Sequence, residues 1–502
     1  MSKMEFDVNK FDEKVDLEYI KNHGRVEKIS DSIVFCSGIE FARLHEIVLI
    51  DNTYHGVVLN LSEGLAGIGL LEETNSINEG MEVIATKQLF SLNASKEQLG
   101  TVINALGERI DGGKAIKESQ SVTAFNIAPA IMKIRDVDTP LMTGQLIIDT
   151  LTPVGRGQRQ LILGSRKTGK TQIAIETILA QKNQNIRCIY VAIGQKMVNI
   201  SNTFQTLKKQ GAMNYTTIVA ASASSSLTMQ YLVPYAAMGI AEHWRDKGEN
   251  VLIIFDDLTK HADAYRAITL LLKRPPGREA YPGDIFYIHS SLLERAAQFK
   301  TTQGGGSITA LPIVELLSDD LTAYIPTNII SITDGQLFLR TDLFNNGQKP
   351  AITIGESVSR VGSKAQYPIM RKMSNNIMLI LSQYFELKEF MTFDNNLTEE
   401  NLLIVHKGEI LLELFRQDII SGYTLTQATI LLYAFQADYF LDVPVQQIYT
   451  LKNIIAEKIS LDENYEALTQ TLLTAHELLG NVQTYFDAFL SAVKEEFVCQ
   501  EQ

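Results

Sequence analysis

The chain is poor in cysteine, in tryptophan, in cationic charge relative to anionic, and in long apolar runs. Its three cysteines, Cys36, Cys188 and Cys499, are odd in number and far apart. They form neither a disulfide framework nor a closely spaced metal site, and read as inert thiols in a reducing compartment. No apolar run reaches the roughly 18 residues of a spanning helix, so membrane contact is expected only through partners. The opening segment, MSKMEFDVNKFDEKVDLEYI, lacks a continuous apolar core and a cleavage pattern, so no secretory signal is expected. Lys+Arg is 45 against Asp+Glu 58, a formal charge of -13. Such a surface disfavours nucleic acid and anionic membranes as partners. The single tryptophan, Trp244, and tyrosines such as Tyr265 and Tyr324 read as packing rather than as a base-stacking platform. His261 and His289 have no ligand partner at metal spacing and read as structural.

What is present is an ordinary folded composition, 45% apolar and 21% charged, in 502 residues. That length exceeds one compact core and predicts several domains. Three textures follow one another. From Gly24 to about Thr86, short apolar runs (DSIVFCSGI, HEIVLI, GVVLNLS, GIGLL) between turn residues predict a small β-barrel. From about 87 to 366, strand-like runs (LILG, RCIYVAIG, TTIVAASA, NVLIIFDD, DIFYIHS, NIISIT) alternate with helical stretches such as KTQIAIETILAQKN. That alternation predicts a mostly parallel sheet covered by helices. Beyond 367, apolar residues recur at three-to-four spacing and predict a helical bundle. The expected domains are a barrel over 24–88, an α/β domain over 89–366 and a helical domain over 367–502. An extension over 1–23 precedes them.

The sharpest motif is GSRKTGKT, Gly164 to Thr171, between a predicted strand and a predicted helix. It fits G-x-x-x-x-G-K-[ST], a phosphate-binding loop. Gly164 and Gly169 let the backbone turn and bring its amides to phosphate. Lys170 is placed for the terminal phosphates and Thr171 for magnesium. Downstream, VLIIFDDLTK ends an apolar strand in two carboxylates, of which Asp256 is the expected second-shell magnesium ligand.

LTKHADAYRAITLLLKRPPGREAYPGDIFYIHSSLLERAA, with YIPTNIISITDGQLFL, GESVSRVGSKAQ and LGTVINALGERIDG, resembles the F-type ATP synthase alpha and beta family. The resemblance covers about Gly24 to Gln366 and continues more weakly beyond. It implies a barrel, a RecA-like P-loop domain and a helical domain, with alpha-like and beta-like chains alternating in a hexamer around a central shaft.

Particular residues separate the two types. Beta chains end the strand after the P-loop helix in a glutamate that polarises water; here the matching position is Gln195. A carboxamide cannot accept a proton at neutral pH. In alpha-type chains the arginine matching Arg360 reaches a neighbouring beta chain as an arginine finger. Its fixed, permanently charged fork suits phosphate oxygens. The resemblance therefore implies a non-catalytic, regulatory alpha-type subunit of a rotary ATPase. It would bind ATP or ADP with Mg²⁺ through Gly164, Ser165, Arg166, Lys167, Thr168, Gly169, Lys170 and Thr171. Lys349, Pro350 and Gln417 match the adenine pocket.

The implied partners are a beta-type catalytic subunit, a gamma-like shaft subunit and a peripheral-stalk subunit. The implied location is cytoplasmic, at the inner face of the cell membrane. There are departures from the family pattern. Ser165 and Lys167 stand where alpha chains usually carry Asp and Gln, which makes the loop's own sequence more positive. Lys349-Pro350 replaces an Arg-Pro pair, Ile419 replaces a second pocket glutamine, and Ser291 replaces an arginine. Two alternatives stay open on the sequence. One is a divergent motor of the same build that drives motility or transport; the other is a hexameric nucleic-acid translocase. A self-sufficient ATPase of protein-export type would need the glutamate that Gln195 replaces.

Overall fold

The computed structural model describes residues 22–72, 74, 76–117, 119–391, 398–478 and 480–501. Most of the expected 1–23 extension and the side chain of Cys499 lie outside the described residues. Six antiparallel strands close a barrel in the order β1-β2-β5-β4-β3-β6. They are β1 (His23–Ser30), β2 (Ile33–Ser37), β3 (Glu46–Ile50), β4 (Tyr54–Ser62), β5 (Leu65–Leu70) and β6 (Glu82–Leu89). Val34, Val48, Ile50, Val58 and Ile68 fill its interior. Closure pairs every edge, which suits strands too short to hold a sheet alone.

The central sheet has eight strands: β7 (Val102–Ile103), β8 (Leu161–Gly164), β9 (Ile186–Gln195), β10 (Thr216–Ser222), β11 (Asn250–Asp256), β12 (Ser307–Glu315), β13 (Gly335–Leu339) and β14 (Val358–Ser359). Their spatial order is β14-β13-β8-β12-β11-β9-β10-β7, parallel except for β14. Alternate residues go to opposite cores. Leu252 and Ile254 enter one, Val251, Ile253 and Phe255 the other. Both faces are covered, which is why these strands read as unbroken apolar runs. The helices of this domain are α1 (Leu146–Leu151), α2 (Lys170–Ala180), α3 (Met197–Lys209), α4 (Leu227–Asp246), α5 (Leu258–Leu271), α6 (Ile285–Leu293), α7 (Tyr324–Ile332) and α8 (Thr341–Asn345).

Two segments expected as strands are helices. DIFYIHS opens α6 and NIISIT lies mostly in α7. In α6 the buried positions are Ile285, Ile288, His289, Leu292 and Leu293; in α7 they are Ile325, Pro326, Ile329 and Ile332. That spacing is helical, and it emerges only over a window longer than the short apolar run. The strand positions belong instead to SITALPIVE, β12, and GQLFL, β13.

Among the described residues beyond 367 the helices are α9 (Pro368–Met373), α10 (Ile377–Phe390), α11 (Glu399–Phe415), α12 (Leu425–Gln436), α13 (Val445–Ser460), α14 (Tyr465–Thr474) and α15 (Gly480–Glu501). Their apolar faces join one face of the central sheet in a continuous core, through residues such as Leu414, Leu431 and Leu451. Barrel, P-loop α/β domain and helical domain thus stand in the expected order.

Candidate functional site

The phosphate loop runs from the end of β8 into α2. A Cβ on Gly164 would lie 2.8 Å from the Leu339 carbonyl oxygen and from Thr168 Oγ1, so only glycine fits. Gly169 has φ +99°, a left-handed conformation that glycine adopts without strain. Lys170 Nζ donates to the carbonyls of Gly164 at 2.7 Å and Ser165 at 2.5 Å. Burial pulls its pKa down, and the carboxylates of Glu315, Asp257 and Asp256 pull it back up.

Thr171 Oγ1 donates to Asp256 Oδ2 at 2.8 Å, and the Tyr190 hydroxyl donates to the same oxygen at 2.6 Å. Strand alternation explains the choice. Asp256 follows Leu252 and Ile254 onto the face that carries Tyr190. Asp257 turns away to cap α5, accepting the Lys260 amide at 2.8 Å and pairing with Lys260 Nζ at 3.0 Å. Burial raises the Asp257 pKa. Burial, and then the Asp256 charge, push the Tyr190 phenol well above its usual range, so it stays a donor.

Gln195 ends β9 in the same cluster and is buried. Its Nε2 donates to the Asp256 carbonyl at 3.0 Å and to the Tyr190 oxygen at 3.4 Å. Asp256, Tyr190, Thr171 and Gln195 therefore form one network. Tyr190 carries no sequence signal beyond its place in an apolar strand, and sequence reasoning missed it.

Around the loop, exposed Arg166 pairs with Glu315, and Lys167 is exposed with φ +64°. Thr168 is buried, its hydroxyl donating to Ser165 O at 2.9 Å. Ser165 Oγ donates to Asp319 Oδ1 at 2.5 Å. Glu315 and Asp319 were also missed; the acids of IVELLSDD are legible, but their proximity to the loop requires β12 to lie beside β8.

Beside the loop is a cavity of about 180 Å³, lined in part by Gln172, Glu176, Phe344, Lys349, Pro350 and Gln417. It brings three residues remote in sequence, Lys349, Pro350 and Gln417, next to Thr168 and Gly169. The Gln417 amide is engaged by backbone. Oε1 accepts from Leu146 N at 2.6 Å, and Nε2 donates to Gly144 O at 3.0 Å and Ser421 O at 2.9 Å. It fixes the wall's shape. Ile419 also lines the cavity yet is largely exposed, and burial raises the pKa of Glu176.

Arg360 is not part of this cluster. It follows β14, whose Ser359 pairs with Gly335 at the start of β13, whereas Leu339 at the end of β13 pairs with Gly164. From Gly335 to Leu339 is four steps, and at about 3.3 Å each the two sites are roughly 13 Å apart along the strand direction alone. Arg360 is exposed, near Arg159, Asp334 and Lys364.

His261 and His289 are buried neighbours: His261 Nε2 meets Tyr231 O at 3.1 Å, and His261 Nδ1 meets His289 Nε2 at 3.4 Å. Trp244 is fully buried. Cys36 and Cys188 are buried thiols, and burial pushes Cys36 up to about 12.

A glycine-turned loop at a strand-to-helix junction, a buried lysine, and a hydroxyl–carboxylate pair beside a cavity define a P-loop nucleotide-binding protein. Family models match three segments: the beta-barrel domain over 38–87, the nucleotide-binding domain over 144–359 and the C-terminal domain over 366–493. The chain belongs to the ATP synthase alpha/beta family. It is 54% identical over 478 residues to ATP synthase subunit alpha 1 of Listeria monocytogenes serotype 4b (strain F2365), covering 95% of this chain and 96% of that one. It is 50% identical over 410 residues to ATP synthase subunit alpha of Mesomycoplasma hyopneumoniae (strain 7448), covering 81% and 80%. Against ATP synthase subunit alpha of Mycoplasma genitalium (strain ATCC 33530 / DSM 19775 / NCTC 10195 / G37) the figures are 45% over 454 residues, 90% and 87%.

Proposed function

We propose that this chain is the non-catalytic, regulatory alpha-type subunit of a rotary ATPase. It holds a magnesium nucleotide, ATP or ADP, and lends Arg360 to the catalytic site of a beta-type neighbour in an alternating hexamer. One observation carries the non-catalytic part: Gln195 is anchored as a hydrogen-bond donor at the end of β9. An amide so placed neither takes a proton from water nor carries the charge to polarise it.

The chain's own oxygen donors suit a hard cation. The Thr171 hydroxyl and the Asp256 carboxylate are hydrogen-bonded to each other and stand at the end of the phosphate loop. These two residues would hold magnesium, which when bound would supply charge neutralisation to the phosphates. Lys170 would turn its ammonium from the loop carbonyls to phosphate, and the loop amides would cradle the same group.

Arg360 lies at the end of the sheet away from this chain's P-loop, and is exposed. That supports action on another chain's nucleotide. Ile127, Ile131 and Met132 are 94%, 86% and 79% exposed, an apolar strip suited to cover by a ring neighbour. A gamma-like shaft and a peripheral stalk complete the expected partners. Among the described residues no helix is long and apolar enough to cross a membrane. Placement at the cytoplasmic face of the cell membrane would come through the complex.

The test is ATPase assay of the pure chain alone and with its beta-type partner, wild type against Arg360→Ala. The expected result is near-silence alone, activity together, and a loss on the order of 10³-fold in the variant complex. Full activity of the variant complex would remove the finger role.

A further inference from the structure

Ser165 of the phosphate loop is hydrogen-bonded to a carboxylate from outside the loop. It comes from Asp319, in the turn after β12. Asp319 Oδ1 accepts from Ser165 Oγ at 2.5 Å, and the Asp319 amide donates back to Ser165 Oγ at 3.0 Å. The other oxygen, Oδ2, accepts from the Thr341 amide at 3.2 Å, at the first residue of α8. Asp319 adopts φ +57°, left-handed for a residue with a Cβ, so the turn is held in a conformation that free chain disfavours. Its charge is also felt at Lys170.

The connectivity gives these bonds a direction. Ser165 belongs to the phosphate loop. Thr341 opens α8, and α8 carries Phe344 into the wall of the base cavity, with Lys349 Nζ 5.5 Å from its ring. One carboxylate thus ties the phosphate end of the cleft to its base end.

We propose that Asp319 is a positioning residue for the bound nucleotide, a latch that joins the phosphate loop to α8 and slows nucleotide release. The latch rests on the reading of this cleft as a magnesium-nucleotide site. A charged acceptor bonded to both elements holds each in the shape the ligand needs, and a ligand must break that arrangement, or wait for it to open, before it leaves. The excess positive charge of the loop's own sequence is offset the same way, by Glu315 on Arg166 and by Asp319 beside Ser165.

The experiment measures dissociation of a fluorescent ADP analogue, with magnesium, from the full chain. The variants are Asp319→Ala, Ser165→Ala and the double variant Asp319→Ala with Ser165→Ala. Asp319→Ala should release about 10-fold faster, the size of one lost charge-assisted hydrogen bond. Ser165→Ala should release a few-fold faster, and it stands in should Asp319→Ala fail to fold. The double variant should release no faster than Asp319→Ala alone, because both changes break the same tie; independent structural damage at the two positions predicts multiplied effects instead. Wild-type release rates in Asp319→Ala, or in Ser165→Ala where it stands in, overturn the latch, and so do multiplied effects in the double variant. If the wild-type chain binds no nucleotide, the reading of the cleft fails instead.

Discussion

The proposed non-catalytic role turns, at Gln195, on a single exchange of oxygen for nitrogen. The amide donates to the Asp256 carbonyl, a bond that a carboxylate could not make. The same economy of donors and acceptors sets the protonation of the buried histidines. His261 Nε2 faces the Tyr231 carbonyl and must carry its proton there. Its Nδ1 then accepts from His289 Nε2, and both rings are neutral. Burial lowers His261 to about 4, against 6.5 ordinarily, and pushes His289 well below its usual value. The folded state therefore binds fewer protons than the unfolded chain between those pH values. Stability is fully present above about pH 6.5 and falls as pH drops toward 4, by roughly 3 kcal/mol for His261 alone. Denaturant titrations at pH 7, 6, 5 and 4 would show this fall, and a His261→Gln chain should lose stability less steeply.

Helix ends carry the account at the next scale. α11 stops at Phe415, and its last carbonyls are met from α13 by Lys452, which is fully buried. Lys452 Nζ donates to Glu413 O at 2.8 Å and Leu414 O at 2.9 Å, and also to Arg416 O. Burial lowers its pKa to about 7, so it is protonated only in part at neutral pH; its N–H groups meet the orphan carbonyls, and its charged form also suits the helix dipole. Lys452→Met keeps the stem's bulk but leaves those acceptors bare. It should cost about 1–3 kcal/mol, read as a lower denaturation midpoint with unchanged m-value.

The lysine's role was illegible in the sequence, because nothing along α13 marks one lysine as buried. The phosphate loop, the barrel runs and the parallel strands ending at Gly164, Gln195 and Asp256 were legible. They depend on local turn chemistry and on apolar runs bounded by it. The runs at 284–290 and 328–333 were misread because a segment of only six or seven residues, apolar in part, does not distinguish a buried strand from one face of a helix. Tyr190, Asp319 and Glu315 escaped notice because their meaning lies in strand order, which places β12 between β8 and β11.

Across the whole molecule, one sheet presents two different chemistries at its two ends. The C-terminal ends of the parallel strands gather the phosphate loop, Asp256 and Gln195, with the cavity lined by Lys349, Pro350 and Gln417 close by. The opposite end carries Arg360, exposed and away from the chain's own phosphate loop. Under the proposed function, a monomer built this way would grip nucleotide at one end and offer an arginine at the other, the division of labour of an alternating ring. The most direct test of that division is a single turnover on the isolated chain. It would be loaded with one equivalent of γ-labelled ATP and magnesium and followed for hours by rapid separation of free phosphate. The expected result is ATP that stays bound and intact, with no phosphate release above the uncatalysed rate. Stoichiometric release of labelled phosphate from the wild-type chain would contradict it.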